Sequence, residues 1–406
     1  MNRLVLIGNG FDLAHGLKTS YADFIYWYWE QRRNHFVNES NPKISEDVLC
    51  KIECLEYDTW LVALMYDIKL KNSEGKEVYD YIINSDKYKI EFSPFFERIL
   101  KSIDTKGWVD IENEFYELLK DYVLRKNDVS EVEKLNFQLK YLQDKLVEYL
   151  KFIEISDSLM NNNIRREIYT PFQMVDISIE GQQAIRDHID AGLKLDDIDL
   201  DRKFNQFNSH IFIRGRVTDY KNKIKQNGYS LEDNDIPLEL LLPNHIMLLN
   251  FNYTYTADLY LKRSYIFSVN KIHGSLDNPS SVIFGYGDEL DKDYKEIVNK
   301  NDNKLLGKIK SIKYLEADNY RKMLSFIESE PFQVIIMGHS CGNSDRTLLH
   351  TIFEHKNCVS IKPYYYINNE GKDNYIDLVQ NISRNFTDMK LMRDRVVNKT
   401  YCKPLT

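Results

Sequence analysis

Short strand-like segments recur in this chain, and each one stops at a glycine, asparagine, histidine or serine. Leu4-Val5-Leu6-Ile7 runs into Gly8-Asn9-Gly10, and Ile246-Met247-Leu248-Leu249 into Asn250-Phe251-Asn252. Ser268-Val269-Asn270-Lys271-Ile272 meets His273-Gly274, Val282-Ile283-Phe284 meets Gly285-Tyr286-Gly287, and Gln333-Val334-Ile335-Ile336-Met337 meets Gly338-His339-Ser340. A further short strand is expected at Val359-Ser360-Ile361. Unbroken apolar runs of this length are the mark of strands buried on both faces, as in parallel sheets. Open parallel sheets bind ligands just outside the carboxyl ends of their strands, so the polar residues stand where a nucleotide site would lie.

If the first strand and the later ones share a sheet, the domain that holds them is discontinuous. The expected architecture is α/β: a Rossmann-like parallel sheet interrupted by a large, mainly α-helical insertion. Residues 1–45 plus 240–406 are assigned to the nucleotide-binding domain and 46–239 to the insertion. The middle of the chain is poor in glycine and rich in Lys, Glu, Asp, Asn and Tyr. Within it Val132, Leu135, Leu139, Leu142, Leu146, Tyr149 and Ile153 step by three and four, which predicts a long amphipathic helix. That stripe reads either as one helix of a bundle or as a seam for a homo-oligomer.

Composition removes several classes. Hydrophobic residues make up 43% and charged residues 29% of the 406, a globular balance that excludes wholesale disorder. The net charge of −8 argues against a protein that coats nucleic acid by charge. No run approaches the roughly 18 to 20 apolar residues of a membrane span. The apolar run at the N-terminus is too short for a signal-peptide core, which predicts a cytoplasmic protein. Cys50, Cys54, Cys341, Cys358 and Cys402 form neither a disulfide framework nor a zinc site, and no metal is expected.

The candidate residues cluster at the strand ends. Gly8-x-Gly10 allows a tight turn and close approach of a phosphate or ribose, but Leu13 stands where the dinucleotide fingerprint has its third glycine. Asp12 reads as a helix cap or as a ribose contact. Asn252 and His273 each end a strand, and adjacent strands would bring both to one edge. A histidine there takes a proton near neutral pH, and an asparagine holds a hydroxyl or water without adding charge. Gly338-His339-Ser340-Cys341-Gly342 matches the Gly-x-Ser-x-Gly elbow of serine hydrolases. The later His350 and His355 fall on the following helix and point away from Ser340. Asp345 would cap that helix or bond a ligand. The Val282–Asp288 segment reads as a second ligand loop, with Asp288-Glu289 alternatively a surface acid pair.

These blocks resemble a known family. Ile7-Gly8-Asn9-Gly10-Phe11-Asp12-Leu13-Ala14-His15-Gly16-Leu17 resembles the opening signature of the bacteriophage abortive-infection AbiH family. Leu249–Thr254, Ile272–Leu276, Phe284–Gly287 and Gly338–Asp345 are similar to that family in the same order. The resemblance implies bacterial defence against phage by a suicidal or growth-arresting response. More distantly, the same blocks resemble the sirtuin-type NAD-binding fold, without the zinc module of its deacylases. That likeness implies NAD as substrate, with His273 and Asn252 catalytic. It also implies that Gly8, Asn9, Gly10, Phe11, Asp12, Asp23, Asn250, Gly338, Ser340 and Asp345 contact the nucleotide. The expected activity is hydrolysis of NAD to nicotinamide and ADP-ribose, with a phage or host partner as trigger. The alternatives are a nucleotide-binding sensor or toxin acting through a partner, a nuclease or other nucleotide hydrolase, and a serine hydrolase at Ser340.

Overall fold

The strands are β1 (Asn2–Ile7), β2 (Ile44–Glu46), β3 (Cys50–Cys54), β4 (Tyr88–Phe92), β5 (Ile246–Asn250), β6 (Phe267–Lys271), β7 (Phe332–Met337) and β8 (Cys358–Tyr364). The computed structural model describes residues 1–38, 44–55, 75–126, 128–153, 160–196, 198–200, 202, 207, 216–227, 236–262 and 266–405. The chain divides into two units. One comprises Met1–Gly16, Ile155–Val282 and Tyr314–Thr406, and the other Leu17–Glu154 and Ile283–Lys313.

The first unit holds a five-stranded sheet in the order β6-β5-β1-β7-β8, every pair parallel. Numbered along the chain within that sheet, the order is 3-2-1-4-5, that of doubly wound nucleotide-binding folds. The order reverses between β1 and β7. Lys271, Asn250, Ile7, Met337 and Tyr364 lie in register along the carboxyl edge. β1, β5, β7 and β8 are buried along their whole length, which is why the cores of β1, β5 and β7 run apolar without alternation. Val5, Ile7, Ile246, Leu248, Ile335 and Met337 face one core, which Ile164 and Ile168 close from the helix Asn162–Tyr169. Burial of one such side chain stabilises by about 1.5–3 kcal/mol, so a polar replacement in β1 removes a large share of a net stability of about 5–15 kcal/mol.

The second unit is mainly helical, with the three-stranded antiparallel sheet β2-β3-β4 beside the helices. The predicted long helix spans Ser130–Phe152, and its stripe from Val132 to Tyr149 is buried within the unit. Tyr149 packs against Phe24 and Trp27. The face offered as an oligomer seam is therefore spent inside the chain. The antiparallel strands were not anticipated, although Cys50-Lys51-Ile52-Glu53-Cys54 alternates buried and half-buried residues as a strand should.

The units divide the chain at other points than the expected 1–45 plus 240–406 against 46–239. Residues 155–239 go with the parallel sheet, where Ile185 and Ile189 of the helix Gln182–Lys194 line a second core. Residues 17–45 and 283–313 go with the helical unit. Val282–Phe284 is not a strand. After it, Gly285 N donates to the Glu112 carboxylate at 2.9 Å, Tyr286 N donates to Lys308 O at 3.0 Å, and the Tyr286 ring stacks on Tyr116. All five cysteines are free and buried. Among the described residues no helix is long and apolar enough to cross a membrane.

Candidate functional site

Two turns meet where the strand order reverses. β1 ends at Ile7, and Gly8 leads into the short helix Asn9–Ala14. β7 ends at Met337, and Gly338 turns the chain with φ +74°, a left-handed conformation that glycine adopts without strain. A Cβ on Gly8 would lie 2.4 Å from His339 Cα, and one on Gly338 would lie 2.0 Å from Phe11 N. The glycines thus let one loop cross the other. The amides of Gly8, Gly10 and Phe11 donate to Met337 O, Gly338 O and Gly8 O at 3.2, 2.8 and 2.8 Å. This differs from the expectation that the glycines open the loop to a phosphate, because the group they admit is the second loop.

Phe11 is wholly buried in the core, with the His15 and Tyr260 rings against it, so it faces protein. Asn9 is exposed. Asp12 is buried; its Oδ2 accepts from Thr254 Oγ1 at 2.7 Å, and its Oδ1 has no hydrogen-bond partner. Burial pushes its carboxyl up to about 6, against the opposing effect of Thr254, Thr256 and Asn252.

Beyond β5 the chain is braced by its own side chains. Asn250 Oδ1 accepts from Asn252 N at 3.1 Å, and Asn250 Nδ2 donates to Thr254 O at 3.3 Å. Asn252 Nδ2 donates to Gly8 O at 3.0 Å, tying the β5 loop to the β1 loop. Asn250 and Asn252 therefore build the edge as well as standing on it.

His273 follows β6 and is 4% exposed. Its Nε2 lies 3.2 Å from Asp345 Oδ1 and 3.2 Å from the Tyr314 hydroxyl, and its ring meets Phe251 edge-on. Gly274 turns the chain away with φ +84°, and a Cβ there would strike Ser281 O at 2.2 Å. Asp345 precedes the helix Arg346–Phe353 but makes no side-chain cap bond; its carboxylate goes to the imidazoles instead. Asp345 Oδ2 lies 3.6 Å from His339 Nε2. The His339 ring packs on Phe251 at 4.1 Å, and its Nδ1 accepts from Cys341 N at 3.0 Å. The result is one buried carboxylate between two histidines, with Phe251 against both rings. Such a carboxylate orients an imidazole and stabilises the imidazolium formed when the ring takes a proton.

Ser340 is exposed, and no histidine among the described residues bonds its hydroxyl. Its carbonyl accepts from Asn381 Nδ2 at 2.9 Å. The non-glycine left-handed residue of this loop is Cys341, with φ 55°, and burial together with Asp345 pushes its thiol well above its ordinary value. His350 and His355 bond elsewhere, to Asn385 O and Glu328.

Asp23 lies in the helical unit, where it caps the helix Tyr21–Asn38 by accepting from Ser20 N and Oγ. The Gly285–Asp288 segment also lies there and is tied to the buried pair Glu112–Lys310, with 2.9 Å between the charges. Sequence reasoning missed His339, Tyr314 and Phe251 as members of the cluster. His339 and Phe251 stood beside residues that were chosen. Nothing in the sequence tied Tyr314 to His273, 41 residues earlier. Among the described residues no group of three or more His, Cys, Asp or Glu is placed to hold a metal ion.

A family model described as bacteriophage abortive infection AbiH matches residues 4–366, a span that includes every residue of the cluster. No curated protein matches the chain, and no solved structure does.

Proposed function

The chain belongs to the bacteriophage abortive infection AbiH family, and from that premise we propose that it is an abortive-infection effector that hydrolyses NAD to nicotinamide and ADP-ribose. The observation that carries this reading is the His273–Asp345 pair at the carboxyl edge of a 3-2-1-4-5 sheet, with Asn252 one residue from Phe251, whose ring touches His273. In this reading NAD lies across the strand ends. Cleavage of the nicotinamide–ribose bond leaves an oxocarbenium-like ribose that water captures. His273 takes a proton from the ribose hydroxyl or the attacking water, and Asp345 stabilises the imidazolium. Asn252, pinned by its bond to Gly8 O, orients the sugar or the water. NAD⁺ and water give nicotinamide, ADP-ribose and a proton.

The purified full chain is incubated with NAD, and the products are followed by mass spectrometry beside His273→Ala. Nicotinamide and ADP-ribose should accumulate with wild type and fall by about 10²–10⁴-fold in the variant. No turnover by wild type, or equal turnover by a folded variant, overturns the reading.

A second reading is favoured by the amides of Gly8, Gly10 and Phe11, which are spent on main-chain acceptors. There the chain binds a nucleotide and acts through a partner without consuming it. Intact NAD in phage-triggered, growth-arrested cells would favour that reading.

A further inference from the structure

The carboxylate that serves His273 also meets His339, and the two rings have different surroundings. The Cys341 main-chain N–H can only donate, so His339 Nδ1 at 3.0 Å must accept and carries no proton. In the neutral ring the proton then sits on Nε2, facing Asp345 Oδ2. A second proton on His339 would set N–H against N–H. The 3.6 Å contact to Asp345 is electrostatic rather than a formed hydrogen bond, and such contacts are often long before substrate binds. His273 Nε2 instead faces two oxygens, the Asp345 carboxylate and the Tyr314 hydroxyl, both able to accept from a protonated ring. Asp345 meets both rings, the Tyr314 hydroxyl meets His273, and the Cys341 thiol beside Asp345 is held neutral by burial.

Cys341 keeps its amide in this position at a backbone conformation uncommon for any residue but glycine. Its carbonyl and that of Ser340 are held by Asn385 Nδ2 and Asn381 Nδ2 at 3.0 and 2.9 Å. The loop is therefore fastened on both sides of the donor that sets the His339 tautomer.

We propose that His339 is a neutral positioning residue: its Nε2–H steadies one oxygen of Asp345 so that the other orients His273, and the proton taken in the reaction resides on His273 alone. This rests on the reading of His273 as the base.

The test uses the full chain with ¹⁵N-labelled histidine, together with NAD turnover by His339→Gln and His339→Ala. Ring resonances are assigned by their loss in His339→Gln and His273→Ala. At pH 7 the His339 ring should be neutral, with Nδ1 unprotonated and Nε2 protonated. His339→Gln keeps a donor that cannot carry charge, and should leave kcat and its pH profile close to wild type. His339→Ala frees Asp345 and should lower kcat by about 10²-fold with KM unchanged. A charged or Nδ1-protonated His339 at pH 7, or a Gln variant as impaired as the Ala variant, overturns the proposal. If wild type turns over no NAD, the proposed function falls, while the resonances still decide the state of His339. If the Ala variant does not fold, the Gln variant and the resonances still decide.

Discussion

At the amino end of the five-stranded sheet, Arg3 gives its guanidinium to Ile168 O, Thr170 O and Gln333 Oε1, beneath the ring of Phe172. Beside it Asn2 donates to Ser329 and accepts from His245 N, while the Met1 ammonium meets Glu330 and His188. At the carboxyl end, Asp12 keeps an oxygen with no partner, Asp345 is shared by two imidazoles, and Gly338, Cys341 and Gly274 hold left-handed backbone. One end uses its buried polar groups to close the structure. The other leaves them unbalanced, and strained or raised-pKa groups held by a rigid frame are where chemistry is expected. The difference separates residues that keep the sheet together from residues that give it something to do.

The comparison is broken most directly by exchanging the two effects. His273→Ala should lower NAD turnover by about 10²–10⁴-fold while changing the denaturant midpoint little. Arg3→Met should cost about 3 kcal/mol, because three buried acceptors lose their donor, and should leave the turnover of the remaining folded protein unchanged. Denaturant titration and steady-state assay of both variants check this, and reversed outcomes would erase the distinction.

Gly338→Ala joins the two effects. The new Cβ meets Phe11 N, and the residue must stay left-handed, so stability should fall by about 2 kcal/mol or more, along with activity. A variant as stable as wild type would mean that the two loops are not in this contact.

Asp12 sharpens the comparison through pH. Its carboxyl is raised from 3.8 to about 6 by burial, so between these values the folded state holds the proton more tightly than the unfolded state. Its stabilising contribution is present below the unfolded pKa and is lost as pH rises through about 6. Wild type should lose about 2 kcal/mol relative to Asp12→Asn between about pH 4 and pH 7, read from denaturant midpoints. Equal slopes would show that Asp12 is solvated. The smallest effect is expected at Ser340. Ser340→Ala should leave turnover and toxicity unchanged, and a loss of either would revive the serine hydrolase.

Much of the edge was legible because an unbroken apolar run that stops at a polar residue reports both a buried strand and its end. β1, β5, β6, β7 and β8 form where those runs predict, and Asn252 and His273 follow β5 and β6. Val282–Phe284 has the same composition and pairs with no neighbouring strand, since the backbone that follows it bonds a carboxylate and a loop carbonyl. The charged alternation of β3 and β4 was visible but stood in a stretch that composition marked as helical. Asp23 was read by likeness as a ligand contact, and its local use as a helix cap was not foreseen.

By itself the sequence determined the strands of the parallel sheet, the long helix of the second unit and the family, because each is written in a local period or an ordered set of short blocks. Only the tertiary structure decided that residues 155–239 group with the parallel sheet, with Ile164 and Ile168 packed on it, and that the glycines serve the crossing of two loops. It also decided that Asp345 leaves its helix cap to stand between His273 and His339. Each of these depends on which groups far apart in the chain come within a few ångströms, and no local pattern of residues carries that information.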